Sequence, residues 1–137
     1  MAIEYRRDAA LDTDEAIELY VASTLGARRP VSDRARMEAM LKNANLVVTA
    51  WDGDLLVGLA RALSDFSYVT YLSDLAVRAS HQKQGIGKEL MRRIQKAGGP
   101  DAKLLLLAAP AAEKYYPHVG FTHHPQAWMI APDEEIR

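Results

Sequence analysis

A chain of 137 residues has the length of one ordinary domain and buries roughly two thirds of its unfolded surface without a covalent staple. A hydrophobic share of 49% beside a charged share of 26% belongs to a globular protein, and a net charge of −1 gives no pull towards nucleic acid or an anionic membrane. The absence of cysteine excludes disulfides, thiolate metal sites and cysteine nucleophiles, and it suits a reducing compartment.

No repeat or linker divides the sequence, so one domain over 1–137 is expected. Ile3–Arg6 predicts a first strand. Asp12 then caps a helix with Glu15 three residues on, and Ile17, Tyr20, Val21 and Leu25 follow at helical spacing. Gly26 and Pro30 break that helix. Ser32 or Asp33 starts another, with Met37, Met40 and Leu41 on one face and Asn43 near its end. Leu46–Trp51 predicts a strand, Asp52-Gly53 a tight hairpin turn, and Leu55–Leu63 the return strand. Ser64–Ser67 turns the chain again into a strand over Tyr68–Val77.

Gly85-Ile86-Gly87 opens an amphipathic helix. Ile86, Leu90, Met91 and Ile94 face inward, while Lys88, Arg92, Arg93 and Lys96 face water. Gly98-Gly99-Pro100 ends it. The apolar run Leu104–Leu107 predicts a buried strand covered on both faces. A short helix is expected over Ala111–His118, then strands at Phe121–His123 and Ala127–Ile130. The order β-α-α-β-β-β-α-β-α-β-β predicts a mixed α/β fold, a central sheet flanked by helices.

The segment that needs a chemical explanation is the strand, the loop Gln82-Lys83-Gln84-Gly85-Ile86-Gly87-Lys88 and the helix behind it. Glycines let backbone approach a ligand, and the unbonded N–H groups of a first helical turn attract anions. Lys83 and Lys88 add charge. A phosphate or pyrophosphate suits this arrangement. A P-loop needs a Gly-Lys-Ser/Thr ending, and a dinucleotide fingerprint needs a third glycine where Leu90 stands. Neither is present. The bland alternative is a turn ahead of a surface helix.

Asp74-Leu75-Ala76-Val77, then Arg78-Ala79-Ser80-His81, then the Gln-x-x-Gly-x-Gly-Lys loop resembles motif A of the GNAT superfamily of N-acetyltransferases. Tyr115-Tyr116-Pro117-His118-Val119-Gly120-Phe121 resembles its motif B. The resemblance covers nearly the whole chain, motifs and element order together. It implies the GNAT fold and acetyl-CoA as co-substrate. Backbone groups of Leu75, Ala76 and Val77, on a bulged strand, would meet the pantetheine arm. Gln82, Lys83, Gln84, Gly85, Ile86, Gly87 and Lys88 would hold the pyrophosphate.

The resemblance further implies transfer of acetyl to a primary amine of a small molecule or protein. The Leu75 N–H would polarise the thioester, and Tyr116 would return a proton to the departing sulfur. Family members that use a Glu base carry it on the strand before the loop, where this chain has Tyr71, Leu72, Ser73 and Asp74. Asp74 is read either as an ammonium-binding or proton-relaying group, or as a structural acceptor. An Asn that many family members place after the apolar strand, where it would touch the coenzyme, is replaced by Ala108-Ala109-Pro110. A non-catalytic acyl-CoA-binding or regulatory module is the alternative function.

His118, His123 and His124 complete no familiar ligand spacing, so no metal is expected. Trp51, Phe66, Tyr68 and Tyr71 are candidates for an acceptor cleft or for core. No apolar run reaches the ~18 residues of a membrane span, and the N-terminal residues lack a signal-type apolar stretch. The expected location is cytoplasmic, with no nucleic acid or membrane partner. A homodimer is compatible with the family.

Overall fold

Two aspartates start the first two helices of the computed structural model, which describes residues 2–137. Asp12 accepts a hydrogen bond from the Glu15 N–H at 3.1 Å and opens α1 (Thr13–Ala22); Asp33 accepts from the Arg36 N–H at 3.1 Å and opens α2 (Arg34–Asn43). Each satisfies a backbone donor that the first helical turn leaves over. Ser23 closes α1 in extended backbone, and a 3-10 turn (Thr24–Arg28) leads towards α2.

The backbone divides into two compact units, Met1–Leu107 and Ala108–Arg137. The first holds a five-stranded mixed sheet. Its strands are β1 (Glu4–Arg7), β2 (Leu46–Asp52), β3 (Leu55–Ser64), β4 (Val69–Val77) and β5 (Lys103–Leu106), in the order β1-β2-β3-β4-β5. The first three pairings are antiparallel. β4 and β5 are parallel, joined through α3 (Ile86–Gly98).

Neighbouring residues of a strand point to opposite faces, and β3 shows which helix covers which. Leu59 packs in a core with Leu19 and Tyr20 of α1 and Met37 of α2. A Cβ on the adjacent Gly58 would lie 3.0 Å from Leu90 and 3.1 Å from Ile86, so α3 covers the other face and needs glycine there to come this close. The amphipathic pattern read in the α3 sequence is observed: Ile86, Leu90, Met91 and Ile94 are buried.

The feature that shapes the site is a bulge in β4. Arg61 of β3 opposes Asp74, but Ala62 opposes Leu72, which leaves Ser73 without a partner. One extra residue reverses the facing of the strand beyond it. Thr70 lies against Gly98 of α3, whereas Ala76 joins the α1 core. Both are even-numbered, and an unbroken strand would put them on one face. Pairing with β5 ends at Leu72–Leu106. Past the bulge, β4 has a partner on its β3 side and none from β5.

Three expectations need correction. β5 is not buried on both faces: it is four residues long, sits at the end of the strand order, and leaves Leu105 40% exposed. The helix expected over Ala111–His118 is a 3-10 turn (Pro110–Ala112) followed by α4 (Tyr115–His118). The segments Phe121–His123 and Ala127–Ile130 form no strand. Alternation, which would bury every second residue, fails there. Adjacent Trp128 and Met129 are 94% and 81% exposed, and Pro125 and Pro132 remove backbone donors on either side.

Candidate functional site

The hydrogen-bond phase of β3 and β4 decides which backbone groups of β4 are available. The Arg78 N–H donates to the Val57 carbonyl at 2.8 Å. Bonded pairs in an antiparallel ladder recur at every second residue. Ala76 therefore pairs with Leu59, while Leu75 and Val77 turn their N–H and C=O towards the edge that β5 has left. Gln82 reaches that edge: its Nε2 donates to the Val77 carbonyl at 3.0 Å. Of the three residues expected to offer backbone contacts, Leu75 and Val77 face the gap and Ala76 does not.

The loop between β4 and α3 begins with a 3-10 turn (Ala79–His81), in which the His81 N–H donates to the Arg78 carbonyl at 2.8 Å. Lys83 and Gly85 then adopt left-handed backbone, with φ of 64° and 83°. Glycine takes that conformation freely; for lysine it costs about 1 kcal/mol. Alternating handedness of this kind turns successive N–H groups into one concavity, a form suited to anions. Gly85 is the N-cap of α3, and the first helical bond runs from the Glu89 N–H to the Gly85 carbonyl at 3.1 Å. The amides of Ile86, Gly87 and Lys88 consequently have no partner inside the helix.

Gln82, Lys83, Gln84, Gly85 and Lys88 are exposed, and Ile86 is buried under the sheet. A Cβ on Gly87 would sit 3.6 Å from Val77 and 3.8 Å from Leu75, ordinary contact, so the fold itself does not demand glycine there. Unpaired backbone donors lie at the free edge, on Leu75 and Val77, and again from Lys83 through the loop to the first turn of α3 at Lys88. These are the features a pyrophosphate and an extended amide-bearing arm require.

Asp74 lies on the other side of β4, and its side chain is fully buried. Its Oδ2 accepts from the Tyr20 hydroxyl at 2.7 Å and from Arg61 Nε at 2.6 Å. Its Oδ1 accepts from Arg29 Nε at 2.6 Å and from the Ser73 hydroxyl at 3.3 Å. The same arginines hold the bulge: Arg29 Nη2 donates to the Ser73 carbonyl at 2.7 Å, and Arg61 Nη2 to the Ser73 hydroxyl at 2.8 Å. Burial acts to raise the Asp74 pKa. The Arg61 bond and charge, with the bonds from Tyr20 and Arg29, outweigh it and keep the carboxyl below its ordinary range. Burial, with Asp74 beside it, raises the Tyr20 phenol far above its ordinary value. A carboxylate with four donors, two of them guanidiniums, is a poor proton acceptor.

Sequence reasoning found Asp74 but not its partners. Arg61 was legible as a lone charge inside the apolar run Leu55–Leu63, where a buried cation demands an anion. Arg29 and Tyr20 carried no such sign. Of the aromatic candidates, Trp51 is core, with its Nε1 donating to Thr49 Oγ1 at 2.8 Å. Phe66 and Tyr68 are 44% and 65% exposed beside the β3–β4 turn.

In the second unit, Tyr116 on α4 stacks edge-on with Tyr115 and with Phe121, each at 5.4 Å between ring centroids. Its carbonyl accepts from the Val119 and Phe121 N–H groups at 3.1 and 3.0 Å, and Gly120 supplies the φ of 100° that this turn needs. Motif B is thus a self-contained helix cap. Burial raises the Tyr116 phenol above its ordinary value, with a smaller push from Tyr115. Among the described residues, no cluster of three or more His, Asp or Glu suits a metal ion, and no helix is long and apolar enough to cross a membrane.

Residues 13–128 match the family model of the acetyltransferase (GNAT) domain. An uncharacterized ycf52-like N-acetyltransferase of Prochlorococcus marinus is 31% identical over 117 residues, 80% of this chain and 63% of that protein. The chain spans less than two thirds of the length of the curated relatives it matches. A probable acetyltransferase of unknown function from meticillin-resistant Staphylococcus aureus superposes with a TM-score of 0.77 at 26% identity, covering 95% of this chain and 98% of that one. The aminoglycoside N-acetyltransferase AAC(6')-Iy, solved with CoA, shares the fold at a TM-score of 0.74 and 18% identity, covering 96% and 95% of the two chains.

Proposed function

The chain belongs to the GNAT acetyltransferase family, and from that premise we propose that it transfers acetyl from acetyl-CoA to a primary amine, with 1–137 acting as one acyltransferase domain. The observation that carries this reading is the pair of unpaired donor sets, Leu75 and Val77 on the open edge of β4 and Lys83 to Lys88 in the left-handed loop and first turn of α3. AAC(6')-Iy, solved with CoA, supports the choice of donor by analogy of fold.

In this reading the amides of Lys83 to Lys88 hold the pyrophosphate, with Lys83 and Lys88 adding charge. Leu75 and Val77 pair with the pantetheine arm as a neighbouring strand would. The Leu75 N–H, aimed into the gap, polarises the thioester carbonyl. A phenol whose pKa is raised stays protonated at neutral pH, which suits Tyr116 as proton donor to the leaving thiolate. Asp74 keeps the bulge, and hence the Leu75 N–H, in place instead of taking the amine's proton. The acceptor arrives as the free amine, and its proton leaves through water.

The test is consumption of acetyl-CoA against a panel of small amines and lysine peptides. Turnover with at least one amine is expected. CoA binding without turnover on any amine would favour the non-catalytic module.

A further inference from the structure

The coenzyme loop contains a backbone conformation that lysine disfavours, so something must hold it. Lys83 stands at φ 64° in an exposed stretch, two residues after His81. The 3-10 turn that delivers it is closed by one short backbone bond, His81 N–H to the Arg78 carbonyl at 2.8 Å, and by a long one, Gln82 N–H to the Ala79 carbonyl at 3.5 Å. Two backbone bonds of this kind are weak restraint for a strained segment.

A side-chain relay supplies more. His81 Nε2 lies 2.9 Å from Asp52 Oδ2, and His81 Nδ1 lies 2.7 Å from the Ser80 hydroxyl. Asp52 ends β2, 29 positions away in sequence, and its side chain is 17% exposed against 16% for His81. The tautomer follows from chemistry. A carboxylate only accepts, so Nε2 carries the proton, and Nδ1 in the neutral ring accepts the Ser80 O–H. The ring is fixed at both nitrogens, by the β2–β3 hairpin on one side and by its own turn on the other.

We infer that the Asp52–His81 pair is a positioning latch: it ties the β2–β3 hairpin to the loop and holds Lys83 to Gly85 in the left-handed form before any ligand binds. Neither residue need touch the coenzyme. The inference rests on the coenzyme reading above for its consequence, and on the geometry alone for its effect on the loop. Preorganisation is worth to binding what the free loop would otherwise lose on ordering.

Asp52→Ala and His81→Ala each remove the latch. His81→Gln keeps an N–H donor near the position of Nε2 and serves as the conservative rescue. Hydrogen exchange is read on the ligand-free chain for the bonded amides of His81 and Gln82, which close the turn, together with the melting temperature. The KM for acetyl-CoA and kcat are read with any amine that turns over. One hydrogen bond of this class corresponds to about a five- to tenfold effect. The inference expects exchange at His81 and Gln82 to rise about five- to tenfold in both alanine variants, with exchange in β2 and β3 unchanged. It expects the KM for acetyl-CoA to rise by about the same factor with kcat little altered, and His81→Gln to restore most of both. Unchanged exchange at His81 and Gln82 in the alanine variants overturns it, as does equal acceleration throughout the sheet, which would mark a general structural residue. Failure of the wild-type chain to bind CoA would instead overturn the coenzyme reading, and the exchange result would still decide the latch.

Discussion

Arg61 and Asp74 stand opposite one another on adjacent strands, Nε to Oδ2 at 2.6 Å, at the position where β4 carries one residue more than β3. The pair is a structural clamp on the bulge. The unopposed Ser73 is gripped by Arg61 through its hydroxyl and by Arg29 through its carbonyl, and both arginines converge on Asp74. Removing one member of a buried, hydrogen-bonded charge cluster leaves the others uncompensated. Asp74→Ala should destabilise the fold by about 3–5 kcal/mol, measured by urea unfolding. A loss under about 1 kcal/mol would show that the cluster does not hold the bulge.

If Asp74 does not accept the amine's proton, no carboxylate titration should appear in catalysis. The pH profile of kcat/KM for acetyl-CoA-dependent transfer should rise as the acceptor amine loses its proton, and the position of that rise should move with the pKa of the amine used. A rise fixed near the carboxylate range for every acceptor would return Asp74 to the mechanism.

The Tyr116 phenol predicts a loss in chemistry rather than in binding. Tyr116→Phe should lower kcat by about 10²-fold or more, with the KM for acetyl-CoA within a factor of about two. Equal kcat would remove the tyrosine from proton transfer.

The β3–β4 turn predicts an acid-sensitive fold. Asp65 Oδ1 accepts the N–H groups of Ser67, Tyr68 and Val69 at 2.9, 2.7 and 3.0 Å. Those bonds, Tyr68 first, pull its pKa from 3.8 to about 2. The carboxylate is favoured in the folded state, so its contribution is complete above pH about 4 and is lost as pH falls towards 2. In Asp65→Asn the fall in the urea midpoint between those pH values should be smaller than in wild type. Superimposable pH dependences would contradict the assignment.

Much of this molecule is written in local pattern. The caps at Asp12 and Asp33, the Asp52-Gly53 turn and the amphipathic α3 each follow from residues within one or two turns of chain, and all are present. The loop was legible for the same reason, because left-handed backbone at Gly85 and free amides at a helix start are local properties. What stayed hidden depends on partners distant in sequence. The bulge is expected from resemblance, but its position at Ser73 is set by Arg29 and Arg61, 44 and 12 residues away. The burial of Leu104–Leu107 failed because an apolar run reports the tendency to be covered and not the presence of a cover. The last two strands failed because a strand requires a neighbour, and β-prone residues such as Trp128 and Ile130 do not supply one.

The central claim is that the loop Gln82–Lys88 and the open edge at Leu75 and Val77 hold coenzyme A. Calorimetric titration of the chain with CoA, beside the same titration of Gly87→Glu, tests it most directly. Gly87 has room for a Cβ, so the variant should fold, while its longer carboxylate fills the phosphate concavity with bulk and negative charge. The expected result is wild-type binding with a dissociation constant of roughly 1–100 μM, a matching rise in melting temperature, and no binding by a folded Gly87→Glu chain. No heat and no thermal shift for the wild type at millimolar CoA, or equal affinity in the two chains, would contradict the account.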